Sequence, residues 1–109
     1  VRQSINEAHE IDESGNPAGG ETGGVGILIR WQKGPLGRGA DRKPPNGAFV
    51  ETVIGAAIGR LEFYQMASGG RFACHENAMA LEMLRGALMQ LENRTAAREA
   101  REVEGTHTP

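Results

Sequence analysis

The second half of the chain carries two apolar stripes of helical period. In the later one, Leu81, Leu84, Leu88 and Leu91 follow alternating steps of three and four, which hold one helix face against a neighbour. The same rows continue to Thr95, Arg98 and Glu102. The stripe starts apolar and ends polar, with guanidinium groups where a core residue is due. The spacing predicts a helix from about Glu76 to Arg101, roughly 39 Å long at ~1.5 Å per residue, ended by Gly105. An earlier helix is expected from about Ala48 to Gln65. Val50, Val53, Ile54, Ala57, Leu61 and Tyr64 form its apolar face, and Asn46 is its expected N-terminal cap. Ala67-Ser-Gly-Gly-Arg71 between the two reads as a turn, so the helices form an antiparallel hairpin.

Upstream the pattern changes. Val25 to Gln32 is rich in β-branched and aromatic residues and stops at Gly34-Pro35, which marks a strand with Ile27, Ile29 and Trp31 on one face. One strand does not stand alone; it must pair with residues 1–24, with the loop that follows, or with another subunit. Residues 1–24 are polar and punctuated by Asn16-Pro17, Gly19-Gly20 and Gly23-Gly24, a composition that predicts a flexible arm. Within it, Gln3 to Ile11 alternates only weakly. The expected organisation is an arm over 1–24, a strand and basic Gly/Pro loop over 25–45, a helical hairpin over 46–104 and a tail over 105–109. The fold class is α+β: a short N-terminal β segment followed by a long antiparallel helical hairpin.

Composition adds three constraints. With 109 residues, 16 glycines and 5% aromatics, a monomer has a thin core, which favours a homo-oligomer. The net charge of −2 gives no bulk attraction for a nucleic-acid polymer, so any phosphate site is local. The single cysteine, Cys74, excludes an internal disulfide, and no apolar run approaches the ~20 residues of a membrane span. A cytoplasmic protein is expected.

Local charge is more informative. Lys33, Arg38, Arg42 and Lys43 crowd one Gly/Pro loop against a single acid, Asp41. Antiparallel helices bring the start of the first helix toward the far part of the second, so Asn46-Gly47, with unpaired N–H groups, is expected near Arg94 and Arg98. A helix N-terminus beside guanidinium groups is an anion-binding arrangement. Arg101 needs no explanation beyond the helix dipole, whereas Arg98 occupies a seam row. The glycine clusters lack the strand-loop-helix context of a dinucleotide fingerprint. Cys74-His75, His9 and His107 lack metal-site spacing. No serine, histidine and acid set suggests a hydrolase, so no enzyme, no cofactor and no metal are expected.

The block Glu76-Asn-Ala-Met-Ala-Leu, Ala87 to Thr95, Arg98-Glu and Val103-Glu-Gly-Thr-His107 resembles the helical hairpin of bacteriophage anti-defence sponges, the Thoeris anti-defence and related anti-CBASS proteins. Trp31-Gln-Lys-Gly-Pro-Leu36, Asn46-Gly-Ala-Phe-Val-Glu51 and Arg60-Leu-Glu-Phe-Tyr-Gln65 look like the preceding part. The resemblance spans about residues 25–107. It implies a phage protein in the host bacterial cytoplasm that holds nucleotide second messengers, glycocyclic ADP-ribose or cyclic di- and trinucleotides, without cleaving them. It also implies dimers that assemble into hexamers. By the same resemblance Asn77 and Arg94 are ligand residues, and Thr95 and Arg98 are candidates for a second nucleotide site. Beyond what the resemblance carries over, Trp31, Gln32, Asn46 and Phe72 are further ligand candidates, with Trp31, Phe72 or Tyr64 as flat partners for a base. Such proteins carry a larger N-terminal sheet than the pattern here predicts.

Asn77 and Arg94 lie seventeen positions apart on one predicted helix, about 25 Å at ~1.5 Å per residue. They do not reach one small ligand within a single chain, so a shared ligand requires a site between subunits. Two other readings follow from the same stripe: a structural protein whose hairpin packs on a protein partner, and, with no acid/base pair to support it, a phosphodiesterase.

Overall fold

The computed structural model describes residues 2–109. Three strands come first, β1 (Ile5–Ile11), β2 (Pro17–Gly24) and β3 (Ile27–Arg30), then a 3-10 turn at Gly39–Asp41 and two helices, α1 (Val50–Gly70) and α2 (His75–Ala100). The chain divides into two compact units. One runs up to Phe49 and includes Arg98–Pro109; the other is Val50–Ala97.

The strands form an antiparallel sheet in the order β1-β2-β3. This corrects the reading of residues 1–24 as an arm. Thr22 pairs with Glu7 on one side and with Ile29 on the other, which puts the glycine-rich segment in the middle of the sheet. Glycine is required there by close approach. A Cβ on Gly20, whose φ is +121°, would lie 2.0 Å from the Ala8 carbonyl oxygen. The β1–β2 connection is closed by Asp12, whose Oδ1 accepts the N–H groups of Ser14 and Asn16, each at 2.9 Å. Val25-Gly26 makes the second connection, with Gly26 at φ +76°. The predicted strand over Val25 to Gln32 therefore starts two residues later. Of its possible partners, the upstream segment pairs along Ile27–Arg30, and the stretch that follows the loop joins at Ala48.

Beyond β3 the chain keeps bridging. Ala18 pairs with Lys33, and Trp31 pairs in parallel with Ala48. Gln32 N–H donates to the Ala48 carbonyl at 3.0 Å, and Ala48 N–H donates to the Arg30 carbonyl at 2.7 Å. Residues 46–48 thus lie along the sheet, and α1 starts at Val50. Asn46 is not the helix cap: its side chain is turned to the Lys33 backbone. Gly47 is held to glycine because a Cβ there would stand 2.6 Å from the Trp31 carbonyl.

In the other unit, α1 loses helical geometry at Ala67, Ser68 and Gly69, where the turn is expected. The helices lie side by side, with Glu62 and Arg85 paired across them at 3.4 Å. The shielded rows of α2 are Asn77, Leu81, Leu84, Leu88, Leu91 and Thr95, the same rows that the leucine spacing selects. On α1 the shielded row is Ile54, Ile58, Leu61 and Gln65. This corrects the predicted face, which omitted Ile58 and included Val50, Ala57 and Tyr64; those three are exposed. α1 has two adjacent apolar rows, and only one of them is shielded. Ile58 and Leu81 are the apolar side chains closed off from water among the described residues. Met66, Met83 and Met89 stand well out into solvent.

Candidate functional site

The hairpin turn gathers a cavity. A hollow of about 400 Å³ is lined by Phe63, Tyr64, Ala67, Ser68, Phe72 and Asn77. The turn is built by polar side chains. Gln65 Oε1 accepts the Cys74 N–H at 3.0 Å and its Nε2 donates to the Cys74 carbonyl at 3.1 Å, so one amide side chain brackets one peptide unit. Cys74 Sγ accepts the Asn77 N–H at 3.4 Å, where an N-terminal cap sits. Ser68 adopts φ +53° to turn the chain. These contacts tie Cys74 to the last helical turn of α1 and the start of α2 to Cys74.

Charge rims the hollow. The Arg60 guanidinium carbon lies 4.8 Å from the Phe63 ring centre and 4.9 Å from that of Tyr64, and Arg60 Nε–H donates to the Tyr64 hydroxyl at 3.3 Å. Arg71 covers Phe72 at 5.2 Å. Stacked guanidinium groups keep in-plane donors free for an anion while their faces rest on the rings. Arg60 and Phe63 were not among the expected site residues, although the Arg60-x-x-Phe63-Tyr64 spacing places them on one helix face.

Trp31, Gln32 and Asn46 form a second group, in the sheet-bearing unit. The Trp31 indole N–H donates to Thr22 Oγ1 at 2.9 Å; Thr22 is 3% exposed. Gln32 Oε1 accepts the N–H groups of Asn46 and Gly47 at 2.9 and 3.2 Å, and its Nε2 donates to the Gly34 carbonyl at 3.1 Å. Asn46 answers with two bonds to Lys33, Oδ1 accepting the N–H at 2.8 Å and Nδ2 donating to the carbonyl at 2.9 Å. In this structure these amides hold the passage from strand to helix, and Trp31 keeps part of its ring open to solvent.

Arg94, Thr95 and Arg98 lie on the last turns of α2. Arg94 is exposed and makes no hydrogen bond or ion pair among the described residues. Thr95 Oγ1 donates to the Leu91 carbonyl at 3.2 Å. Arg98 is committed to the segment that follows its helix. It donates to the carbonyls of Val103 and Thr106 at 3.1 and 2.9 Å, and to that of Thr108. Beside it, Glu104 receives the Arg42 guanidinium on both carboxylate oxygens, and Arg38 donates to the Glu104 carbonyl at 3.2 Å. The Arg42 hydrogen bond holds the Glu104 carboxyl below the ordinary carboxylate range, with Arg38 and Arg98 adding to the effect. The same bond pushes the Arg42 guanidinium up. Sequence spacing gave no signal for Glu104, whose partner Arg42 is 62 positions away.

No family model matches the chain. It is 45% identical over 79 residues to Thoeris anti-defense 1 of Bacillus phage SBSphiJ7, a stretch that covers 72% of this chain and 51% of that protein. The chain spans about half the length of this curated relative.

Proposed function

The chain belongs to the Thoeris anti-defence family, and from that premise we propose that it binds nucleotide second messengers of bacterial immune signalling and holds them uncleaved. Acting in the cytoplasm of the infected host, it withdraws the messenger and so inhibits anti-phage signalling. The observation that carries this reading is the hollow at the hairpin turn. Its volume of about 400 Å³ suits one nucleotide-sized group. Phe63, Tyr64 and Phe72 offer flat faces for a base, Asn77 offers an amide for its edge, and Arg60 and Arg71 meet the attached phosphates. Glycocyclic ADP-ribose and cyclic di- or trinucleotides fit this chemistry. Arg94, Thr95 and Arg98 supply a second nucleotide site on α2, and Trp31, Gln32 and Asn46 are separate ligand contacts within the sheet-bearing unit.

Self-association is part of this reading. Phe72 is 54% exposed and Met83 69%, and the uncovered apolar row of α1 runs through Val50 and Tyr64. A second hairpin packed there closes the hollow and joins Asn77 of one chain to Arg94 of another, in dimers that assemble to a hexamer. Calorimetry with glycocyclic ADP-ribose and a panel of cyclic di- and trinucleotides tests the proposal; no heat with any of them sinks it. Chromatography of the messenger after long incubation returns it unchanged if it is held without cleavage. Arg94→Ala weakens binding of the messenger that gives heat, and unaltered affinity removes Arg94 from the site.

A second reading draws on the exposed Met66, Met83 and Met89. Methionine-rich surfaces adapt to protein partners, and a hairpin that recruits a host protein, with no response to nucleotides, accounts for them. Co-purification of one defined host protein, unaffected by messenger, favours this reading over the first.

A further inference from the structure

The segment after α2 raises a question of charge. Arg98 spends its donors on three neutral carbonyls, while six residues further on the Glu104 carboxylate draws Arg42 and the Glu104 carbonyl draws Arg38. The carbonyls of Val103, Thr106 and Thr108 converge on one guanidinium because the chain reverses sharply at Glu102, with φ +58°, and again at Gly105, with φ +80°. A left-handed glutamate is uncommon. The reversal is pinned from outside by the basic loop. Gly37 N–H donates to the Gly105 carbonyl at 2.7 Å, Arg38 to the Glu104 carbonyl, and Arg42 to the Glu104 carboxylate. The Glu104 side chain is 18% exposed, so this ion pair is more shielded than Glu62–Arg85 or Glu21–Arg30. Glu99 is the other acid near Arg42.

We propose that residues 102–108 form a latch, in which Glu104 on Arg38 and Arg42 keeps backbone carbonyls on the Arg98 guanidinium and an incoming phosphate displaces them. A phosphate is a stronger partner than a neutral carbonyl for a guanidinium fork. Its arrival frees the carbonyls, and the reversal opens from its left-handed joints. Arg38 and Arg42, released by Glu104, then face the same anion. The latch therefore sets the affinity of the Arg98 region, and keeps that guanidinium from weak monovalent anions. The inference rests on Arg98 meeting a ligand phosphate, as proposed above.

Glu104→Gln tests it, since the amide keeps the shape and removes the charge. In the free protein, hydrogen exchange at the Gly37 and Thr106 amides speeds up in the variant while the sheet and hairpin amides keep their rates; unchanged exchange at both overturns the latch. Inorganic pyrophosphate is the binding probe, read by calorimetry. The variant binds it two- to fivefold more tightly than the wild-type chain, and adding Arg98→Leu to the variant abolishes the gain. Equal or weaker binding by the variant overturns the latch. Absence of binding by both chains, with exchange faster in the variant, overturns Arg98 as a phosphate residue and with it the displacement step. The messenger panel separately decides the wider functional reading.

Discussion

Among the described residues, the side chains closed off from water in the hairpin are Ile58 and Leu81, both aliphatic; in the sheet-bearing unit it is Thr22, a hydroxyl held by the Trp31 indole. The hairpin rests on side-chain contact along one seam. The sheet-bearing unit rests on directional bonds: strand ladders, the Gln32 and Asn46 amides on neighbouring backbone, and Glu104 on two arginines. Apolar contact tolerates small shifts and falls with the area lost, whereas hydrogen-bonded pieces fail when a single donor or a few tenths of an ångström are wrong. A thin chain uses both, and the aromatic hollow forms where the apolar seam gives way to a polar-bracketed turn.

Substitutions in each unit can break this contrast. The largest effect is expected from Leu81→Ala, which removes most of a side chain that is 5% exposed and costs about 2–5 kcal/mol. Chemical denaturation at fixed protein concentration measures it, and a loss under 1 kcal/mol shows that the seam is not what stabilises the hairpin. Next is Gly20→Ala, which drives a methyl into the Ala8 carbonyl and costs about 1–3 kcal/mol through displaced strands. Circular dichroism shows the sheet signal melting earlier; an unaltered melt means that β1 is not pressed on β2 as described. Trp31→Phe then tests the directional bond itself, at about 1–2 kcal/mol, because the Thr22 hydroxyl loses its donor in a buried place. If Trp31→Phe proves as costly as Leu81→Ala, the contrast between the units collapses.

The smallest effect is a pH dependence. Glu104 has its folded pKa depressed by Arg42, so its stabilisation is complete above the ordinary glutamate range and is lost as pH falls through that range toward the folded value. Acid titration below about pH 4 shows a stability difference between wild type and Glu104→Gln that shrinks as the carboxyl protonates. A difference independent of pH rules out the ion pair as its source.

The same contrast decided what the sequence could disclose. Helix α2 was legible because leucines at steps of three and four report a face directly, and the shielded rows fall on Leu81, Leu84, Leu88 and Leu91. The face of α1 was harder: Val50, Ala57 and Tyr64 form an apolar row as regular as Ile54, Ile58 and Leu61, and one sequence does not say which row meets its own partner helix. β2 was hidden by its composition. Pro17-Ala-Gly-Gly-Glu-Thr-Gly-Gly24 has the residues of a loop, and its glycines reflect close backbone approach, which only the pairing partner reveals. Phe72 and Asn77 were separate candidates, and it is the geometry of the turn that brings both to one hollow. Glu104 and Arg42 could not, since no local rule links residues so far apart in the chain. Asn46 looked like a cap because caps and strand-end brackets use the same short amide.

The polar ends of the α2 seam also act as stops on sliding. Asn77 precedes Leu81 in its row, and Thr95 follows Leu91. A slide of α2 along α1 by one turn, about 5.4 Å, draws one of them into a place shaped for leucine. Thr95 is the softer stop, because its hydroxyl already bonds the Leu91 carbonyl. Asn77 is the harder one, since an amide drawn between aliphatic side chains loses its water without gaining partners. The seam thus sets the alignment of the two helices as well as their contact, and a residue that borders the hollow also keeps the hollow in place.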